Sequence, residues 1–263
     1  MSEEFIRPPA VAGTFYPDEP TELREMINGF IEAAADIEID GTLRGLVVPH
    51  AGYIYSGPTA AFGYKLLKKY SREIKKVIIV GPSHYAGFYG IAESGMNVWE
   101  TPLGRVKAGS LAEKNGLIKT YAEAHAPEHS LEVQLPFLQT VLDEFEVYPL
   151  LTGEIEPEMA AKVLGASLDS KTIFIASSDL SHYHPYAQAV EIDAHANKYI
   201  PKLDIANTEK TLDACGRNGI LTLMHIAKKK KWKGKFLDYR NSGDTAGDKI
   251  RVVGYGCYAF YSP

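Results

Sequence analysis

Short β-branched runs alternate along this chain with longer stretches whose apolar residues recur every three to four positions, a pattern expected of successive strand and helix units. The runs Gly45 to Val48, Lys76 to Val80, Val147 to Leu151, Thr172 to Ser177 and Val252 to Phe260 predict strands. Helical spacing predicts helices over Glu22 to Ala35, Pro58 to Lys69, Leu131 to Glu144, Glu158 to Leu168, Tyr186 to Ile200 and Gly219 to Lys230. The second of these has Ser56 available to accept from first-turn amides and Pro58 where an N–H has no helical partner anyway. Between Gly87 and Tyr121 the pattern weakens and turn pairs accumulate, which predicts a β-meander or an irregular excursion. Strand and helix alternation of this kind packs as a central, largely parallel or mixed sheet flanked by helices. No Pro-, Gly- or Ser-rich linker and no internal repeat interrupts it, so residues 1–263 are expected to form a single α/β domain.

Composition narrows the function classes. With 45% hydrophobic and 23% charged residues the chain can bury a sizeable core. A formal net charge of -5 offers no basic field for a phosphate backbone or an anionic lipid surface, so neither nucleic acid nor membrane is an expected partner. The basic run Lys228 to Lys231, with Lys233 and Lys235 around Trp232, reads as cations at the end of a helix. No apolar run approaches the roughly 18 residues of a spanning helix. The segment Met1 to Arg7 lacks the apolar stretch of a signal peptide. Two cysteines, Cys215 and Cys257, are too few for a secreted disulfide framework, and a reducing, cytoplasmic setting is expected.

The chemistry gathers where strands end. In open parallel sheets, ligands bind outside the carboxyl ends of the strands, because loops from separate segments converge there. The strand ending at Val48 runs into Pro49 and His50, the one ending at Val80 into Ser83 and His84, and the one ending near Ser177 into Asp179 and His182. Three such placements argue for one shared pocket. His184, beside Pro185, reads as a rim residue, while His125, His195 and His225 have no companions and read as packed or solvated side chains. Ser130, Glu132 and Gln134 fit the first turn of a helix, which accounts for the carboxylate but leaves His129 as a further site candidate. Cys215 precedes Gly216, Arg217 and a helical run, where N–H groups and a guanidinium would lower a thiol pKa and suit a metal-binding or redox thiolate. Cys257, inside an apolar strand, reads as a small buried residue.

Six segments occur in an order that resembles the signature of the Memo family: Arg7 to Pro17, Pro49 to Gly57, Gly81 to His84, His129 to Glu132, Ser177 to His182 and Cys215 to Arg217. They span the chain. That family is similar in fold to the LigB-type class III extradiol dioxygenases, in which two histidines and a glutamate hold ferrous iron and a further histidine acts as acid and base. The resemblance implies His50 and His84 as metal ligands, His182 as the second-sphere histidine with Asp179 beside it, and Cys215 where the dioxygenase carboxylate is replaced. Two imidazoles and a thiolate suit copper or zinc as well as iron.

The expected function is a metal-dependent oxidoreductase with His50, His84 and Cys215 as ligands and His182, Asp179 and His129 as catalytic groups, with ring cleavage weak or absent. The alternatives are a binding or scaffold protein that uses Tyr53, Tyr55, Tyr85 and Tyr183 around the same pocket to hold a peptide or small ligand, and a metal-assisted hydrolase. An AMMECR-type protein and a radical-SAM enzyme are the partners that the resemblance implies.

Overall fold

The computed structural model describes residues 3–112 and 116–263. Its strands are β1 (Ile6–Arg7), β2 (Thr42–Val48), β3 (Lys76–Pro82), β4 (Ile91–Glu93), β5 (Val98–Thr101), β6 (Gly104–Ala108), β7 (Ile118–Thr120), β8 (Glu146–Thr152), β9 (Thr172–Ser177), β10 (His182–His184), β11 (Lys233–Asn241) and β12 (Val252–Ser262). The helices are α1 (Pro20–Ala33), α2 (Tyr53–Lys68), α3 (Ala122–His125), α4 (Leu135–Val141), α5 (Pro157–Gly165), α6 (Tyr186–Tyr199), α7 (Ile205–Thr211), α8 (Arg217–Lys229) and α9 (Ser242–Thr245). Among the described residues no helix is long and apolar enough to cross a membrane.

All these strands join one mixed sheet, in which the path β1-β5-β6-β8-β3-β9-β2-β12-β10 runs from edge to edge. Its centre is parallel: β3 pairs with β8 and β9, and β9 with β2. β12 then runs antiparallel beside β2, and β11 and β10 run antiparallel beside β12.

Both faces of the centre are covered. Val77, Ile79, Ile173, Ile175, Leu46 and Val48 pack in one buried cluster with α1, α2 and α4. Their immediate neighbours Ile78, Val80, Phe174, Ala176 and Val47 pack in a second cluster with α5 and α8. Successive side chains of a strand point to opposite faces, so a strand buried on both sides must be apolar at every position, as these are.

The expected α/β architecture is therefore present, and the five predicted strands match β2, β3, β8, β9 and β12 to within three residues at each end. Local differences have physical causes. The helix predicted from Pro58 begins instead at Tyr53, whose N–H donates to the Phe15 carbonyl at 2.7 Å, and Ser56 donates its hydroxyl to the Ala51 carbonyl rather than capping. Pro58 lies inside that helix, where the carbonyl it cannot serve belongs to the largely exposed Ile54. The helix predicted over Leu131 to Glu144 is a 3-10 turn at Glu132–Gln134 followed by α4, which ends early because Leu142 is extended. Strand β11 went unpredicted because Lys233 and Lys235 read as a helix end. They pair across to Tyr261 and Ala259. The excursion after Gly87 forms the short strands β4 to β7, and residues 113–115 within it lie outside the described residues.

The largest departure concerns Glu132, which does not serve a helix start. It is wholly buried, and both oxygens are saturated: Oε2 accepts from the Arg7 guanidinium at 2.6 Å and the Ala10 amide at 2.8 Å, Oε1 from the Val11 amide at 3.0 Å and the Tyr16 hydroxyl at 2.6 Å. Arg7 also donates to the carbonyls of His125 and Glu128 and lies over the Trp99 ring at 4.2 Å.

A buried charge stripped of its partner is far more costly than an exposed one. Arg7→Met should therefore lower unfolding stability by about 3–5 kcal/mol in urea titration. Loss of the exposed Arg105–Glu4 pair should cost no more than about 1 kcal/mol in the same assay.

Candidate metal centre

The ends of β3, β9 and β2 are neighbours in the sheet, so their loops deliver His84, Asp179 and His50 to one edge. Three hydrogen bonds stitch the loops together. Ser178 N–H donates to the Val48 carbonyl at 2.9 Å, and Asp179 Oδ1 accepts from the amides of His50 at 2.7 Å and Ala51 at 3.3 Å. Cys215 arrives from the turn before α8, where Gly216 N–H donates to Ser178 Oγ at 2.8 Å. A Cβ on Gly216 would lie 2.5 Å from the Ser177 carbonyl oxygen, so only glycine lets Cys215 approach the floor this closely.

The network around His50 assigns its tautomer. Ser177 Oγ gives its one proton to the Ser130 carbonyl at 2.6 Å and accepts from Gln134 Nε2 at 2.8 Å. It can only accept from His50 Nδ1, which lies 3.0 Å away. The proton is therefore on Nδ1, and the Nε2 lone pair points toward Cys215 Sγ at 3.2 Å. Burial, with His129 and His84 nearby, holds the pKa of this ring well below its ordinary value, so it is neutral.

His84 follows the same logic through a different partner. Glu128, wholly buried, accepts from His84 Nδ1 at 2.9 Å and from its amide at 2.7 Å. Burial alone would raise the Glu128 pKa, but donation from His84 and Ser130 outweighs it and holds the carboxyl at about 2. A carboxylate cannot donate, so His84 also carries its proton on Nδ1 and turns Nε2 outward. Ligating atoms of His50, His84 and Cys215 lie within 4.8 Å of one another.

The expected site residues His50, His84, His129, Asp179, His182 and Cys215 all line one cavity of about 760 Å³. His129 stacks on His84 with centroids 4.6 Å apart and meets Phe15 at 4.7 Å. Burial lowers its pKa to about 4. A second acidic grouping of His84, Glu128 and His129 is close enough to hold an ion. Its carboxylate is already occupied by His84 and by the Ser130 amide, however, which leaves little donor capacity. His182 stands on β10, whose start is fixed by Asp193 accepting from the amide and the hydroxyl of Ser181.

Three expectations change. Cys215 is not activated by its helix: burial first, then the Asp179 charge, push the thiol up to about 12, and Arg217 turns away to the Glu209 carbonyl. Asp179 spends Oδ1 on the backbone of the His50 loop and makes no hydrogen bond to His182 among the described residues, and burial pushes its carboxyl up to about 6. Of the four tyrosines considered for a binding surface, Tyr55 and Tyr183 line the cavity, whereas Tyr53 is buried with its hydroxyl on the Val133 carbonyl and Tyr85 lies outside the lining.

Glu128, Ser177 and Gln134 were missed. Glu128 sits directly before His129, but nothing local shows that it reaches back to His84. His184 pairs with Asp213 at 3.3 Å outside the lining, and His125 is buried against the Ala92 carbonyl, as packed residues should be.

The sequence pattern described as Memo-like protein matches residues 7–259. A MEMO1 family protein of Nitrosopumilus maritimus is 36% identical, covering 97% of this chain and 99% of its own length. Those of Thermoplasma acidophilum and Methanopyrus kandleri are 37% and 38% identical, covering 95% and 97% of this chain and 96% and 98% of their own lengths. With similarity running through every segment that builds the cavity floor, the chain belongs to the Memo family.

Proposed function

We propose that this chain is a metal-dependent oxidoreductase in which His50, His84 and Cys215 hold iron or copper at the floor of the cavity. The observation that carries the reading is the orientation of two imidazoles. Each is locked by a bond at Nδ1, which leaves Nε2 as its ligating nitrogen, and ligand atoms of both rings and of Cys215 lie within 4.8 Å of one another. Metal-binding histidines need that second bond to fix the ring and raise the basicity of the ligand nitrogen. The donor set of two nitrogens and one sulfur suits copper, zinc or iron, and a redox ion there would supply one-electron chemistry and open coordination positions.

The remaining groups have separable roles. Glu128 and Ser177 orient the two rings, and Asp179 holds the His50 loop in place. His182, partly exposed on the wall, is free to take or give a proton to a ligand. Neutral His129, whose buried Nδ1 faces Glu128 Oε1 at 3.4 Å, offers its other ring nitrogen as a second proton acceptor.

Metal analysis of protein purified without added metal, then oxygen consumption with catechols and thiols, tests the proposal. Redox-metal content near one per chain with oxygen uptake supports it. Zinc alone with no uptake would favour the hydrolase. In chelator competition, Cys215→Ser should weaken copper or zinc binding at least about tenfold, because a hard, poorly ionised hydroxyl replaces a soft donor. Cys257→Ser should leave affinity unchanged while costing about 1–3 kcal/mol of stability, since its thiol is wholly buried. Equal affinity in wild type and the Cys215 variant would remove the thiolate from the site. Binding displaces the thiol proton, so wild-type affinity should rise about tenfold per pH unit through neutrality. Glu128→Gln keeps the shape but loses the charge behind His84, and should weaken metal binding about 10- to 100-fold with native circular dichroism.

A further inference from the structure

The proposed ligand set occupies the floor of the cavity, and the wall above it has a different composition. Phe15, Tyr55, Tyr183, Val253 and Tyr255 line it with mainly apolar surface. Arg251 is the sole lysine or arginine in that lining, and among the described residues it has no hydrogen-bond or ion-pair partner. Its guanidinium carbon lies over the Tyr183 ring, 5.1 Å from the ring centroid.

This arrangement is built into the backbone. Strand β10 pairs His182 with Val253 and His184 with Val252, so Tyr183 is an extra residue bulged out of the ladder. It lies at φ +63°, in the left-handed region that a bulky side chain adopts only under constraint. Arg251 immediately precedes Val252 on the partner strand, so its base is anchored by the same ladder. The bulge thus places an exposed aromatic ring under a guanidinium at the cavity mouth.

We propose that the cavity takes an amphiphilic organic monoanion, with its carboxylate held by Arg251 and its apolar body packed against the aromatic wall. The proposal rests on reading the cavity as a substrate pocket. A free guanidinium presents a planar fork that matches one carboxylate with two parallel bonds, and stacking on Tyr183 pre-orders that fork. A single charge fits better than a dianion. The same lining holds two carboxylates, Asp179 and Asp248, whose Oδ1 atoms are taken by neighbouring amides. Arg251 is the one lysine or arginine of that lining, so no second cationic side chain is there to share a phosphate.

Calorimetric titration of the purified full chain with 3-phenylpropionate, its neutral amide 3-phenylpropanamide, and phenyl phosphate tests the assignment. Wild type should bind the acid at least about tenfold more tightly than the amide, and more tightly than phenyl phosphate. Arg251→Met should erase the preference for the acid while leaving amide binding unchanged. Arg251→Lys should keep part of it, as a point charge lacking the fork. Equal binding of acid and amide by wild type, a preference that survives in Arg251→Met, or no binding of either probe would overturn the proposal. Tighter binding of phenyl phosphate would overturn the monoanion. Metal affinity of Arg251→Met, measured by chelator competition, should equal that of wild type. An absent acid preference beside intact metal binding would therefore sink this proposal alone, and a lost metal site beside an intact preference would sink the oxidoreductase reading alone.

Discussion

The site depends on a buried carboxylate that never touches it. Glu132 takes four donors from Arg7, Ala10, Val11 and Tyr16, so one side chain binds residues near the amino terminus to the segment that carries Glu128, His129 and Gln134. The desolvation cost of a buried charge is large unless every lone pair is used, and here each oxygen accepts two bonds. This constraint fixes both sides of the cavity floor. On one side it sets Phe15, whose ring meets His129 and whose carbonyl receives the first amide of α2. On the other it sets Glu128, whose carbonyl is held by Arg7 while its carboxylate orients His84.

From that anchor the orientation of each imidazole follows by exclusion. Ser177 has one proton and the Ser130 carbonyl takes it, so His50 must donate. Glu128 has no proton, so His84 must donate. Gln134 completes the set by giving its amide protons to Ser177 and the Pro49 carbonyl while its oxygen accepts from Tyr64. Neither ring is free to turn without leaving a buried polar atom unpaired, and that penalty, about 1–3 kcal/mol for each group, is what pre-organises the two Nε2 atoms.

The parts legible in the sequence were those whose cause is local. Strands buried on both faces read as continuous apolar runs, and the rule that loops converge beyond parallel strand ends located His50, His84 and Asp179 correctly. The partners behind them lie far away in sequence: 125 positions separate Arg7 from Glu132, and 44 separate His84 from Glu128. No spacing pattern encodes such pairs, and Glu132 therefore passed for a capping residue. Cys215 failed for a different reason. The helix start and Arg217 were both there, but local electrostatics was outweighed by desolvation and by Asp179, which only the folded chain brings near. Strand β11 escaped because a half-buried edge tolerates lysines that a periodicity argument assigns to a helix end.

The division between floor and wall explains why the two differ in character. Every polar atom that orients the floor is buried and paired, so a change there propagates into the sheet and the amino-terminal anchor. At the rim, Tyr183 of the β10 bulge and Arg251 of the segment that leads into β12 touch each other, and both side chains are exposed. A cavity built this way keeps the orientation of its two imidazoles through the paired half, while the rim can vary without breaking those bonds. No hydrogen bond or ion pair among the described residues links Arg251 to the groups that hold the imidazoles, so rim and floor are separate parts of one cavity.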